Sequence, residues 1–143
     1  MTMRDEKGTA LVEFAIVAPL LFVILFGIIE FGILLYDKAM ITNASREGAR
    51  AGIVFNHPNR ITDAEITAVV MNYCQDYLIS FDSSSTLTAV ISRTGTGVEP
   101  GDSLTVTVDY PFQFLVFSNL IALIGGDIGN LLNLRAETIM RLE

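Results

Sequence analysis

Hydrophobic and polar residues are sorted into separate stretches along this chain. Residues 1–8 are polar. Phe14 to Ile29 is a sixteen-residue run without a charge, and after Glu30 the apolar pattern resumes as F-G-I-L-L-Y, ending at Tyr36. Glu13 to Tyr36 is twenty-four residues, about 36 Å as a helix, enough to cross a bilayer core of roughly 30 Å with some tilt. Pro19 lies inside the run, where neighbouring helices or a local kink accommodate it. A cleaved secretory signal would have a shorter apolar region followed by a small-residue cleavage site. A buried helix of a soluble domain would need more apolar mass around it than the rest of the chain supplies. The run therefore reads as a retained membrane helix.

Nothing after Tyr36 ends that helix abruptly. D-K-A-M-I-T-N-A-S-R-E-G-A-R-A-G contains good helix formers and no proline, and the first firm stop is Asn56-His57-Pro58. One long helix from about Thr9 to Val54 is expected, half in the membrane and half outside it. Ala44, Gly48 and Gly52 recur every four residues and fall on one face, a ridge that lets another backbone approach closely. Glycine inside a helix costs up to about 1 kcal/mol relative to alanine, so two of them imply a packing reason. A second helix, over 62–81, opens with Thr62-Asp63-Ala64-Glu65, a capping box with Ile61 and Ile66 placed as a hydrophobic staple. Ile66, Val69, Val70, Tyr73, Cys74, Tyr77, Leu78 and Phe81 then form an i, i+3, i+4 stripe. Cys74 lies within the stripe and reads as a small core residue rather than a reactive thiol.

Beyond a loop at 82–85, T-L-T-A-V-I-S reads as a strand over 86–92. The glycine-rich turn R-T-G-T-G-V-E-P-G-D leads into a second strand over 103–110. There Leu104, Val106, Val108 and Tyr110 alternate inward against Thr105, Thr107 and Asp109 outward. The two strands form a hairpin. Phe112 to Ile124 is mostly apolar, a short helix or packed segment too short to span a bilayer but able to touch its surface. The terminal L-N-L-R-A-E-T-I-M-R-L-E alternates again, giving a third strand over 132–142, with a helix as the alternative. The expected architecture is α+β. Residues 1–8 form a leader and 9–36 a membrane helix. Residues 37–143 form a head built on a helical extension (37–55), a second helix and an antiparallel sheet of about three strands.

Charge narrows the function classes. The formal net charge is −7. From Ile61 onward ten acidic residues face three basic ones, Arg93, Arg135 and Arg141. Such a head repels nucleic acid and anionic headgroups. One cysteine excludes an intramolecular disulfide, and one cysteine with one histidine, His57, supports neither an ordinary zinc site nor a Cys–His nucleophile pair. Ser83, Ser84 and Ser85 have no partnering base in the sequence. Asp82 and Asp127 do not fit an EF-hand spacing. Gly95-Thr96-Gly97 reads as a turn rather than a phosphate loop. No catalytic residue, metal ligand or cofactor is assigned; the chain is built for anchoring and assembly.

Two carboxylates flank the apolar run. Glu13 and Glu30 are seventeen residues apart, about 25 Å along a helix and about 100° around it, so they do not share a stripe. Glu30 reads as the outer boundary of the span. Glu13 has a more informative neighbourhood, K-G-T-A-L-V-E-F, with a glycine five residues before the carboxylate at the helix entrance. This resembles the processing site of type IV prepilins, which a membrane prepilin peptidase cuts after the glycine. The resemblance implies a cut between Gly8 and Thr9, with Glu13 as the fifth residue of the mature chain. The new α-amino group would carry a positive charge into an apolar bundle, where Glu13 of an adjacent subunit compensates it. Thr9 stands where type IV pilins commonly have phenylalanine.

L-F-G-I-I-E-F-G-I-L-L-Y, then T-N-A-S-R-E-G-A-R, together with G-x-x-x-x-E-F, is similar to the TadE-like family of pseudopilins of the Tad (tight adherence) pilus system. Most of the match lies in the first fifty residues. The resemblance implies a pilin-like subunit of the bacterial inner membrane, N-terminus cytoplasmic and head extracytoplasmic, that supports pilus assembly. Its implied partners are the prepilin peptidase, other pilin and pseudopilin subunits, the inner-membrane assembly platform and membrane lipid. Charge on both flanks of the span (Arg4 and Lys7 before it; Lys38, Arg46 and Arg50 after it) leaves orientation undecided by the positive-inside rule. In R-E-G-A-R, Glu47 and Arg50 can pair along the helix. Arg46 and Arg50 can bridge to the head or to a neighbouring subunit, while Gly48 between them favours packing within the chain. The alternative reading is an uncleaved single-pass protein whose head is a binding or scaffold module of an envelope secretion complex.

Overall fold

The apolar run and the segment after it form one unbroken helix. In a computed structural model of the chain, which describes residues 3–54, 60–81, 86–95, 99–123, 125 and 132–142, helix α1 runs from Met3 to Ile53. Pro19 lies within it. The helix does not break at Gly8. Helix α2 (Asp63–Tyr77), strands β1 (Thr88–Arg93) and β2 (Ser103–Phe112), the short helix α3 (Phe117–Leu123) and strand β3 (Leu132–Arg141) complete the order. The fold is α+β and pilin-like: a long N-terminal apolar helix, a second helix and a three-stranded antiparallel sheet of order β1-β2-β3. The 132–142 segment is a strand, so of the two readings of its alternation the strand holds. The stop at Asn56-His57-Pro58 and the loop serines 83–85 lie outside the described residues, as do Asp82 and Asp127.

The sheet has two faces of different character. Leu104, Val106, Val108, Tyr110 and Phe112 of β2 are buried, with Leu134 and Ala136 of β3 beside them. These residues meet the upper half of α1, which covers β2 and β3, and α2, which covers β1. Ile41, Ala44 and Ala49 of α1 and Ile66, Val70 and Cys74 of α2 close the core. On the other face Thr88, Asp109 and Arg135 share one row, and Val90, Thr107 and Glu137 the next. Thr107 is nonetheless buried, because it sits on the central strand with a neighbour on either side.

Direction along α1 orders everything else. A Cβ placed on Gly52 would collide with Leu104 and lie 2.7 Å from Ile66 Cδ1; one on Gly48 would lie 2.5 Å from Val70 Cγ2 and 3.5 Å from Val106 Cγ1. So β2 descends α1, Leu104 opposite Gly52 and Val106 opposite Gly48. β3 climbs back: Lys38 Nζ donates to the Arg135 carbonyl, and the Ser45 and Thr138 hydroxyls share a hydrogen bond of 2.7 Å.

Helix α2 starts as its sequence requires. Thr62 Oγ1 accepts from Glu65 N, and Glu65 Oε2 accepts from Thr62 N at 2.7 Å, a complete capping box. The bond from Thr62 N, with a second from Thr62 Oγ1 at 2.9 Å, holds the Glu65 carboxyl below its usual range. Arg93 of β1 ties this end down through Asp63 (2.8 Å) and the Ile61 carbonyl. The helix ends earlier than the 62–81 expectation. Leu78 is extended, with ψ 139, and the next amide, Ile79 N, donates to Asp37 Oδ1 on α1 at 3.0 Å. The apolar stripe continues past the helix, but this bond draws the backbone across to α1, and Phe81 is left exposed.

Overpacking tests this seat. Gly48→Ala adds helix propensity of up to about 1 kcal/mol, against the 1–3 kcal/mol or so that an added methyl costs in a close-packed core. In the detergent-solubilised full chain Gly48→Ala should lower the thermal midpoint. Gly32→Ala, with nothing within 4 Å of the new methyl, should not. Equal behaviour of the two variants would contradict the close approach.

Candidate functional site

Three stations along α1 hold the residues that bear on function. The lowest is the entrance of the apolar run. Gly8 has nothing within 4 Å of where a side chain would stand, and Gly8, Thr9 and Glu13 are all exposed. Glu13 makes no hydrogen bond or ion pair among the described residues. Around it Leu11, Phe14 and Ile16 are each 70% exposed, and the apolar surface continues through Leu20, Leu21, Phe22 and Leu25. Among the described residues no other element covers this length of helix. By length and composition Gly8–Ile53 contains a candidate membrane span.

The middle station is Glu30. It does not stand free at the edge of the span, as its position suggested; it is 5% exposed. Its two carboxylate oxygens accept the backbone amides of Val116 (2.5 Å) and Phe117 (3.2 Å), at the start of α3. One turn below, the Phe117 ring lies against Gly27, where a Cβ would be 3.0 Å from its edge. Phe112, Phe114 and Phe117 make a chain of rings, centroids 5.2 and 6.1 Å apart. After Phe112 the chain thus continues down α1 below the sheet, turns at α3 and returns into β3. A carboxylate among apolar residues is costly unless its oxygens are bonded. Two first-turn amides with no helical acceptor of their own supply those bonds.

The upper station is the root of the head. Asp37, the first residue past the apolar run, is fully buried; Oδ1 accepts from Ile79 N, and Oδ2 has no hydrogen-bond partner among the described residues. Burial raises its pKa from the ordinary 3.8, and the Ile79 bond offsets this only in part. Ala44, Gly48 and Gly52 face inward, against α2 and β2. Arg46, Glu47 and Arg50 face outward, exposed and without a hydrogen bond or ion pair among the described residues. The sequence grouped all six in one segment; the structure divides them into a seat for the head and an outer charged stripe.

Glu30 and Asp37 are the residues that sequence reasoning missed. Glu30 had a readable cue, a charge embedded between apolar residues with Gly27 one turn earlier to admit a ring. Asp37 had none, since its partner is a backbone amide 42 residues away. Cys74 is buried and free, and burial pushes its thiol up to about 11. Among the described residues no three His, Cys, Asp or Glu side chains come together as ion ligands. His57 lies outside them.

Asp37 makes stability depend on pH. A carboxyl whose folded pKa is raised holds its proton to higher pH in the folded chain than in the unfolded one. Its contribution is complete below 3.8 and is lost as pH rises through the folded value. Asp37→Asn should flatten that decline in denaturation midpoints measured from about pH 4 upward. An unchanged slope would assign the decline to another group.

Comparison with known proteins bears on most of the length of this helix. Residues 8–50 match the family model of TadE-like proteins. No curated protein and no solved structure matches the chain. The matched segment contains the lower two stations and the upper one except Gly52, and ends at Arg50.

Proposed function

From a chain whose residues 8–50 are a TadE-like segment, we propose a pseudopilin: a minor, pilin-like structural subunit that takes part in assembling a Tad-type pilus. The observation that carries this reading is the division of α1. Its upper half is built into the head, while its lower half presents apolar side chains on every side, and Glu13 there has no partner among the described residues. Such a helix requires lipid around it, and later the helices of other subunits.

In this reading a prepilin peptidase cuts between Gly8 and Thr9. Both residues are exposed and Gly8 has open space around it; the bond lies within α1, so the cut requires the first turns of the helix to unwind. Cleavage leaves a charged α-amino group on Thr9 at the foot of the helix. An isolated carboxylate and an isolated ammonium are each costly in an apolar bundle, whereas a pair formed between neighbours offsets much of that cost. Glu13 therefore sets the register at which one subunit accepts the next. The subunit waits in the bacterial inner membrane, N-terminus cytoplasmic and head extracytoplasmic, in contact with the assembly platform and other pilin-like subunits. Arg46, Glu47 and Arg50 offer an outward polar stripe to acidic heads of neighbouring subunits.

The rival is an uncleaved anchor carrying a binding or scaffold head, and intact mass separates the two. Membrane-extracted protein from cells with an active prepilin peptidase should lack residues 1–8; a full-length chain there would remove the pilin route. Glu13→Ala should leave membrane insertion intact and stop the subunit from entering or supporting filaments, scored by co-purification with sheared pili. Unaltered piliation would count against charge pairing.

A further inference from the structure

The apolar segment between β2 and β3 is placed where a soluble head would not place it. We propose that this segment, Phe114 to Leu123, is a second membrane-inserted element. It packs beside α1 within the leaflet on the head's side, and lipid acyl chains fill the groove between them. The inference rests on the reading that α1 spans a bilayer, and adds to it that the head itself enters the lipid.

Depth is the first ground. Phe117 meets α1 at Gly27 and Glu30 meets Val116; Gly27 is nine residues below the last apolar residue, Tyr36, about 14 Å along the helix. A bilayer core of roughly 30 Å placed over this run includes that level. The second ground is surface chemistry. Beside Phe117 lies an open groove of about 550 Å³ lined by Val23, Ile24, Ile28 and Phe31 with Gly27 and Gly32. Leu115 points outward, 53% exposed. A groove with this lining is complementary to a hydrocarbon chain and to nothing polar.

The third ground is the state of the polar groups. A short element can lie in lipid only where its backbone amides find acceptors within the protein. The Val116 and Phe117 amides at the start of α3 have that acceptor in Glu30, and Ser118 Oγ and Asn119 Nδ2 donate to the Phe114 and Leu115 carbonyls. Among the described residues, the one carboxylate at this depth is thereby bonded twice. Glu30 is the positioning residue that makes insertion compatible with the apolar medium.

The test uses the full chain reconstituted at high dilution in phosphatidylcholine vesicles, with and without bromine on the acyl chains. Leu115→Cys carries an environment-sensitive nitrobenzoxadiazole probe. Leu25→Cys serves as the lipid reference and Ile139→Cys, on the outer sheet face, as the water reference. Native Cys74 is buried with its thiol pushed up to about 11, so labelling at neutral pH selects the introduced cysteine. The expected result is blue-shifted emission at Leu115 with bromine quenching that matches Leu25. Emission like that at Ile139, with Leu25 still quenched, would overturn the inference and leave the membrane anchor standing. Blue-shifted emission that bromine does not quench would assign the surface to protein contact instead, and overturn it too. Water-like emission at all three sites would remove the anchor itself. In the Leu115→Cys background, Glu30→Ala should shift the probe toward water-like emission; an unmoved spectrum would deny Glu30 its positioning role.

Discussion

The approach of Gly48 and Gly52 to Val70, Ile66 and Leu104 is the contact on which the rest of this structure depends. A side chain at either glycine would stand within the radius of atoms that are themselves fully buried. With hydrogen there instead, α2 and β2 lie directly on the backbone of α1. That proximity fixes the level of β2 along α1, and antiparallel pairing then fixes β3. The head is therefore not a domain hung from a membrane helix by a linker. The helix is one wall of its core, so head and span share a single rigid element.

Several features follow from that shared wall. Because β2 runs down α1, its continuation reaches the level of Glu30 and Gly27, and the connection to β3 must turn there. Because α2 leans on α1, the backbone leaving it passes close enough for Ile79 to bond Asp37. The two acidic side chains that α1 buries are thus met by backbone amides of the returning chain and by no cation among the described residues. Arg46, Glu47 and Arg50 stay outside the root of the head.

Much of this was legible in the sequence, and the parts that were not share a cause. The apolar run, the small-residue ridge, the capping box at Thr62 and the alternation of Leu104, Val106, Val108 and Tyr110 are local patterns, and each corresponds to an element found in the structure. The end of α2 was misread by several residues because its apolar stripe outlasts the helix; a bond to Asp37 decides where the turn falls. Glu30 was read as a boundary because its partners are 86 and 87 residues away and are main-chain amides, which no side-chain pattern records. For Gly8, Thr9 and Glu13 the structure adds only that all three are exposed. Their proposed chemistry belongs to an enzyme and to neighbouring subunits, so a single chain carries little of it.

The descending course of β2 and the rising course of β3 have a mechanical consequence. Both strands run lengthwise beside α1, with attachments from Gly27 and Glu30 at the bottom to Gly52 at the top. A pull along the helix axis therefore loads these attachments in shear. Hydrogen bonds and packed side chains sheared together share the force, whereas those peeled from one end fail in turn. The same head fixed crosswise to the helix would unzip under a smaller tension. Lengthwise attachment lets the subunit be moved by its helix without being unfolded by the movement.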